Sequence, residues 1–208
     1  MNSKFKVVCC LHGDEPFPLY AALEHGVSPI IGNTAAFVAA KRFIDKDLNA
    51  SFGERGNTLE HRRARELLTL IPQSSLVLDF HTFSCASEPF CIVVNESMLP
   101  LARRTGIRHI VMMRYNIKDG HALIDHCPGI SIEVGAHTDY LSYETTINVL
   151  DNIETGTECR DALIYESIGT IETPCRFPNL APTPEGWIPL LAGERAYKHH
   201  GIKVVPIA

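Results

Sequence analysis

The sequence predicts an α/β protein with a largely parallel or mixed sheet. Three observations carry that prediction. Short apolar runs rich in Val, Ile, Leu and Cys alternate with stretches of helical period. Several of those runs end abruptly in His, Asp or Glu, where α/β folds collect their reactive groups. Near residue 157 the composition changes: prolines become frequent and no long helical period remains.

Taken in order, Lys4 to Leu11 (KFKVVCCL) reads as a buried strand. Pro16 and Pro18 suit a loop or a first helical turn. Leu19, Ala22 and Leu23 then fit one helical face, and Gly26 ends it. SPIIGNT is a short strand and turn, and Thr34 to Lys41 is alanine-rich and helical. RFIDKDLNASFGERGN is a polar loop punctuated by Gly53 and Gly56. Thr58 to Leu70 is the clearest helix, with Thr58 as N-cap and Ala64, Leu67, Leu68 and Ile71 on one face. SSLVLDFHTF and PFCIVVN are strands, Met98 to Thr105 a helix, HIVMMR and ISIEVG strands, and Tyr143 to Thr155 a helix. Beyond a boundary near 156–162, ALIYESIGTIET, GWIPLL and IKVVPI read as short strands of a small β-rich domain. The expected division is 1–156 and 157–208.

Composition bounds the function. The 208 residues are 45% hydrophobic and 21% charged, ordinary for a soluble globular chain. A formal net charge of −5 leaves no basic excess for a nucleic-acid partner. No apolar run reaches the ~18 residues that would span a membrane. The first residues show neither the apolar core nor the cleavage site of a signal peptide. Seven cysteines, an odd number with no CxxC pair, read as reduced thiols of a cytoplasmic protein.

The polar strand ends are the candidates for chemistry. The first run delivers His12 and Glu15, another His81, a third Glu133. Two imidazoles and a carboxylate make a zinc site of the catalytic type, with a fourth position left for water. The spacing of His12 and Glu15 lets both reach one ion from a tight turn, and Glu133 is placed to take a proton from an attacking water. An isolated HxxE arises easily by chance among ten histidines, and His81 alone reads as a core histidine. Spacing alone also leaves Arg42 readable as a solvated loop charge and Glu133 as a carboxylate paired with a nearby cation.

The segments LHGDE, GNTAAF, RFIDKDLN, LDFHT and ISIEVG stand here in the order found in the succinylglutamate desuccinylase/aspartoacylase family, which the chain resembles over residues 5 to about 137. That family belongs to the wider zinc carboxypeptidase-like group. The resemblance implies a mixed eight-stranded central sheet flanked by helices, followed by a small C-terminal β-rich domain. It implies a hydrolase that removes an acyl group from a small-molecule N-acyl amino acid, with one Zn²⁺ held by His12, Glu15 and His81. Glu133 would be the general base, Arg42 would stabilise the oxyanion, Asn49 would contact the substrate carboxylate and Asp47 would order its loop. Tyr197 resembles a tyrosine that reaches the site from the second domain.

The match also breaks. The family reads DLNR where this chain reads DLNA, so Ala50 stands where an arginine would clamp a carboxylate. A further arginine expected before the glutamate is absent, with Leu123 at the nearest position. Arg55, Arg62, Arg63, Arg114 or His126 are the available substitutes, although Arg62 and Arg63 read as a solvated helix face. A changed substrate is the favoured explanation. Two other functions remain open: a carboxypeptidase-like peptidase, and a non-catalytic metal- or metabolite-binding relative. A homo-oligomer is compatible with the chain.

Overall fold

Period-two alternation explains how this chain builds layers. In the first strand, β1 (Phe5–Cys9), Val7 and Cys9 point to one face of the sheet and Val8 to the other. The strand β3 (Leu76–Phe83) repeats the pattern, with Leu78 and Phe80 on the first face and Val77 on the second. The computed structural model describes residues 4–137, 139–196 and 198–207.

Between those strands lie α1 (Phe17–Glu24), β2 (Ile30–Ile31), α2 (Thr34–Val38), a short 3₁₀ turn at Leu48–Ala50 and α3 (Leu59–Leu70). After β3 come β4 (Phe90–Val93), α4 (Leu99–Arg103), β5 (His109–Met112), α5 (Leu123–His126), β6 (Gly129–Ala136) and α6 (Leu141–Thr155). The chain closes with β7 (Leu163–Thr170), β8 (Ile188–Leu190) and β9 (Ile202–Pro206).

All of these strands join one nine-stranded sheet of order β2-β1-β3-β6-β4-β5-β7-β9-β8. β1 pairs in parallel with β2 and β3, β3 with β6, β4 with β5, and β5 with β7. The β4–β6, β7–β9 and β8–β9 pairs are antiparallel. The sheet is therefore mixed, as expected, and carries nine strands rather than eight, six from residues before 157 and three from those after it. Among the described residues beyond 157, β7, β9 and β8 extend the same sheet through β5.

Helices cover both faces. Leu19 and Ala22 of α1, Leu101 and Ala102 of α4, and Val149, Leu150 and Ile153 of α6 pack on the face of Val7 and Phe80. Ala64 and Leu67 of α3 and Leu123 of α5 pack on the face of Val8. A third apolar cluster, including Phe83, Phe90, Val111 and Val204, joins β4, β5 and the C-terminal strands. Thr58 caps α3 as its position predicts, its hydroxyl accepting from the His61 amide at 3.3 Å. Gly156, left-handed at φ 75°, ends α6. α6 begins two residues earlier than its apolar period suggests, and α2 stops at Val38, three residues short of the expected Lys41. Ala40 takes a left-handed φ of 48° just beyond. Among the described residues, no helix is long and apolar enough to cross a membrane. All seven cysteines are free thiols.

Candidate active site

β1, β3 and β6 are adjacent and parallel, so their C-terminal ends open on the same side of the sheet, where α/β folds place their sites. Directly after β1 the chain turns through Cys10, at φ 57°, into the HGDE turn. Gly13 has a steric reason here: a Cβ would lie 2.2 Å from the carbonyl carbon of Ala36. Its amide donates to the Arg42 carbonyl at 3.1 Å, tying the HGDE turn to the loop that bears Arg42.

His12, Glu15 and His81 are all buried, and one ligand atom from each lies within 4.8 Å of the others. Glu15 sits between the rings, its Oε1 2.8 Å from His12 Nδ1 and its Oε2 3.2 Å from His81 Nδ1. The far nitrogens are held by other carboxylates. His12 Nε2 lies 2.9 Å from Asp47 Oδ1, and His81 Nε2 lies 2.9 Å from Asp79 Oδ2. Each ring is thereby oriented with Nδ1 toward the shared space, the arrangement that fixes metal-ligating histidines. Ser131 Oγ donates to Asp79 Oδ2 at 3.0 Å and steadies that carboxylate.

The electrostatics suit a cation. Burial alone would raise the Glu15 carboxyl, but the two imidazoles outweigh it and hold it well below the usual range. Burial works against charge on His81, yet Asp79 and Glu15 raise it well above an ordinary imidazole. His12 is likewise raised against its burial by Glu15 and Asp47. A field that favours a proton on both rings also favours a divalent cation between them, and two imidazoles with one carboxylate are a donor set suited to zinc.

Arg42 lies on the loop after α2, and its guanidinium donates to Glu15 Oε1 at 3.3 Å. Buried Glu60 shapes this loop by accepting from the Ile44 amide at 2.8 Å, the Asp45 and Lys46 amides at 3.2 Å each, and Asn33 Nδ2 at 3.2 Å. Asn49 lies in the 3₁₀ turn, whose start is capped by Asp47 accepting the Asn49 amide at 2.8 Å. The Asn49 Oδ1 accepts from the Leu123 amide at 2.9 Å, leaving Nδ2 3.4 Å from His81 Nε2.

Glu133 faces His81 in the β3–β6 register, beside an irregularity between His81 and Phe83. Such bulges re-aim side chains next to sites. Its Oε2 is buried and has no hydrogen-bond partner. Burial pushes this carboxyl up to about 8, with His81 and His12 pulling it down and Glu15 and Glu194 pushing it up.

One cleft is lined by the three candidate ligands, Arg42, Asn49 and Glu133. Sequence reasoning missed three charged residues in its wall, Lys118, Asp125 and Glu194. Lys118 pairs with Asp47 Oδ2 at 2.7 Å, and Glu194 accepts from the Ser84 amide at 2.7 Å and the Ser84 hydroxyl at 2.8 Å. Ala50, Arg55, Arg62, Arg63, Arg114 and His126 do not line it. Arg63, expected on a solvated face, instead donates to the Gly32 and Ile31 carbonyls at 2.6 and 2.7 Å. Arg114 is committed to Glu96. Tyr197 lies outside the described residues.

Residues 16–152 match the family model described as "Succinylglutamate desuccinylase/Aspartoacylase catalytic domain". That stretch begins directly after Glu15, so the grouping of His12 and Glu15 rests on their geometry. A probable aspartoacylase of Prochlorococcus marinus (strain MIT 9313) is 25% identical over 81% of this chain and 67% of its own length. The fold is similar to that of murine aminoacylase 3, with a TM-score of 0.72 at 18% identity, covering 100% of this chain and 97% of that one. It is also similar to a succinylglutamate desuccinylase from Chromobacterium violaceum, with a TM-score of 0.71 at 16% identity, covering 98% and 84%.

Proposed function

The chain belongs to the succinylglutamate desuccinylase/aspartoacylase family, a family of deacylases that hydrolyse amide bonds, and on that premise we propose that it is a cytoplasmic, zinc-dependent amidohydrolase removing the acyl group from a small N-acyl amino acid or related amide. His12, Glu15 and His81 would hold the metal. When bound, zinc makes water a better nucleophile at neutral pH and polarises the scissile carbonyl. Everything else in the reaction falls to the chain's own side chains.

Glu133 Oε2 accepts the proton of the attacking water and returns it to the amine nitrogen as the C–N bond breaks. Arg42 places a fixed positive charge where the carbonyl oxygen becomes an oxyanion. Asn49 Nδ2 donates to the substrate carboxylate, since Oδ1 is occupied by Leu123. Asp47 and Asp79 keep the two imidazoles turned toward the metal position. The observation that carries this reading is the unpartnered, buried Glu133 Oε2 in the same cleft as the ligand trio. Two other buried carboxylate oxygens, Asp14 Oδ1 and Asp79 Oδ1, also lack a partner, but of the three residues only Glu133 lines this cleft.

The test is metal analysis and hydrolysis of an N-acyl amino acid panel by the wild type and Glu133→Gln. The expected result is stoichiometric zinc in both and turnover in the wild type alone. A wild type that binds no zinc and gains no activity when zinc is added overturns the proposal.

A further inference from the structure

The cleft has a second wall that the metal chemistry does not use. Strand β4 pairs antiparallel with β6, placing Ile92 opposite Ser131 and Phe90 opposite Glu133. Ile92 and Val94, two residues apart, therefore project to the same side of the sheet as Glu133. Met113 follows β5, its amide bonded to the Val93 carbonyl at 2.8 Å, and Leu191 follows β8. With Ile117 and Phe83 these residues line the cleft. They are continuous with the buried cluster of Phe90, Val111 and Leu190, against which Ile92, Val94 and Ile117 pack.

The charges in the lining point the same way. Its carboxylates are Glu15, Asp125, Glu133 and Glu194, while its permanent cations are Arg42 and Lys118. Arg42 already donates to Glu15, and Lys118 to Asp47. A second substrate carboxylate would lie against an apolar wall, with both cations of the lining already engaged by carboxylates. Burying a charge without a partner is costly, whereas burying an apolar group on such a wall is favourable.

Resting on the deacylase reading above, we infer that the substrate's main substituent beyond the scissile amide is aliphatic or aromatic, held by Ile92, Val94, Met113, Ile117 and Leu191. The site thus selects apolar N-acyl amino acids over N-acylated acidic ones. Ile117 and Val94 are specificity-determining positions, since each is only partly buried and faces the cleft.

The experiment compares kcat/KM of the zinc-loaded enzyme for N-acetyl-leucine, N-acetylphenylalanine and N-hexanoylglycine with those for N-acetylaspartate and N-succinylglutamate. The expected preference for the apolar group is about 10–200-fold, the range a hydrophobic pocket delivers. Val94→Ala should lower kcat/KM for the apolar group alone, and Ile117→Arg should narrow or reverse the ranking with zinc content unchanged. Equal or faster hydrolysis of the acidic amides, or a ranking that neither variant moves, overturns the apolar assignment and leaves the deacylase reading standing. Failure to hydrolyse either class while zinc is bound overturns both.

Discussion

The two ends of the cleft are built on opposite principles. At the β1/β3 end every candidate ligand is tied to another charged group, His12 to Glu15 and Asp47 and His81 to Glu15 and Asp79, and Arg42 also pairs with Glu15. At the β4/β5 end the wall is aliphatic and continuous with the core. Glu133 stands between them on β6, bonded through Oε2 to neither. The contrast separates holding from reacting. On the proposed function, the groups that would hold a cation are fixed by mutual hydrogen bonds, while the group that would move a proton is buried with its Oε2 unpartnered. The apolar end supplies no chemistry; it shapes what can approach.

That contrast can be broken most severely at the polar end. His81→Ala should reduce bound zinc from stoichiometric to trace and abolish hydrolysis, as read by metal analysis and a deacylation assay. Glu133→Gln should keep the metal yet lower turnover by about 10²–10⁴. Retained turnover would move the proton-transfer role to another group. Arg42→Ala should likewise keep the metal and lose about 10²–10³ in kcat, and metal loss in that variant would make Arg42 a structural partner of Glu15. Asp79→Asn should weaken zinc affinity by about 10–100-fold, measured by competition with a chelating dye, because His81 loses the carboxylate that orients it.

The smallest expected effect is in the pH dependence of the metal-free protein. Glu133 ionises at about 8 rather than its ordinary 4.5, because burial disfavours its charge. Its raised value contributes a component of stability that is fully present below about 4.5 and is lost progressively as pH rises toward about 8, since the unfolded chain releases this proton more readily. Glu133→Gln should remove that component from the pH profile of chemical denaturation. An identical slope in both proteins would mean that Glu133 is hydrated at neutral pH.

Much of the polar end was legible because each part is local. HGDE, DFHT and IEVG each combine an apolar strand with a polar residue at its end, and the three strands proved adjacent. Asp79 was given no role from the sequence, although its place two residues before His81 on the same strand face is the signal that could have found it. Lys118 and Glu194 were not legible: Lys118 meets Asp47 across 71 residues of sequence and Glu194 meets Ser84 across 110. The four-residue α5 escaped notice because it is too short to show a period. The cation candidates chosen to offset Ala50 were judged by charge alone, and nothing in Arg63 or Arg114 reveals which carbonyl or carboxylate will claim it.

By itself the sequence determined the α/β class, the order of the main strands and helices, and the residue types able to hold a metal and move a proton. Those properties live in short-range periodicity and in the chemistry of single side chains. Only the tertiary structure decided which nitrogen of each histidine turns inward, that Glu133 Oε2 lacks a partner, and that Ile92, Met113 and Leu191 share one wall. These depend on strand order and register, which bring distant residues within a few ångströms and leave no periodic trace along the chain.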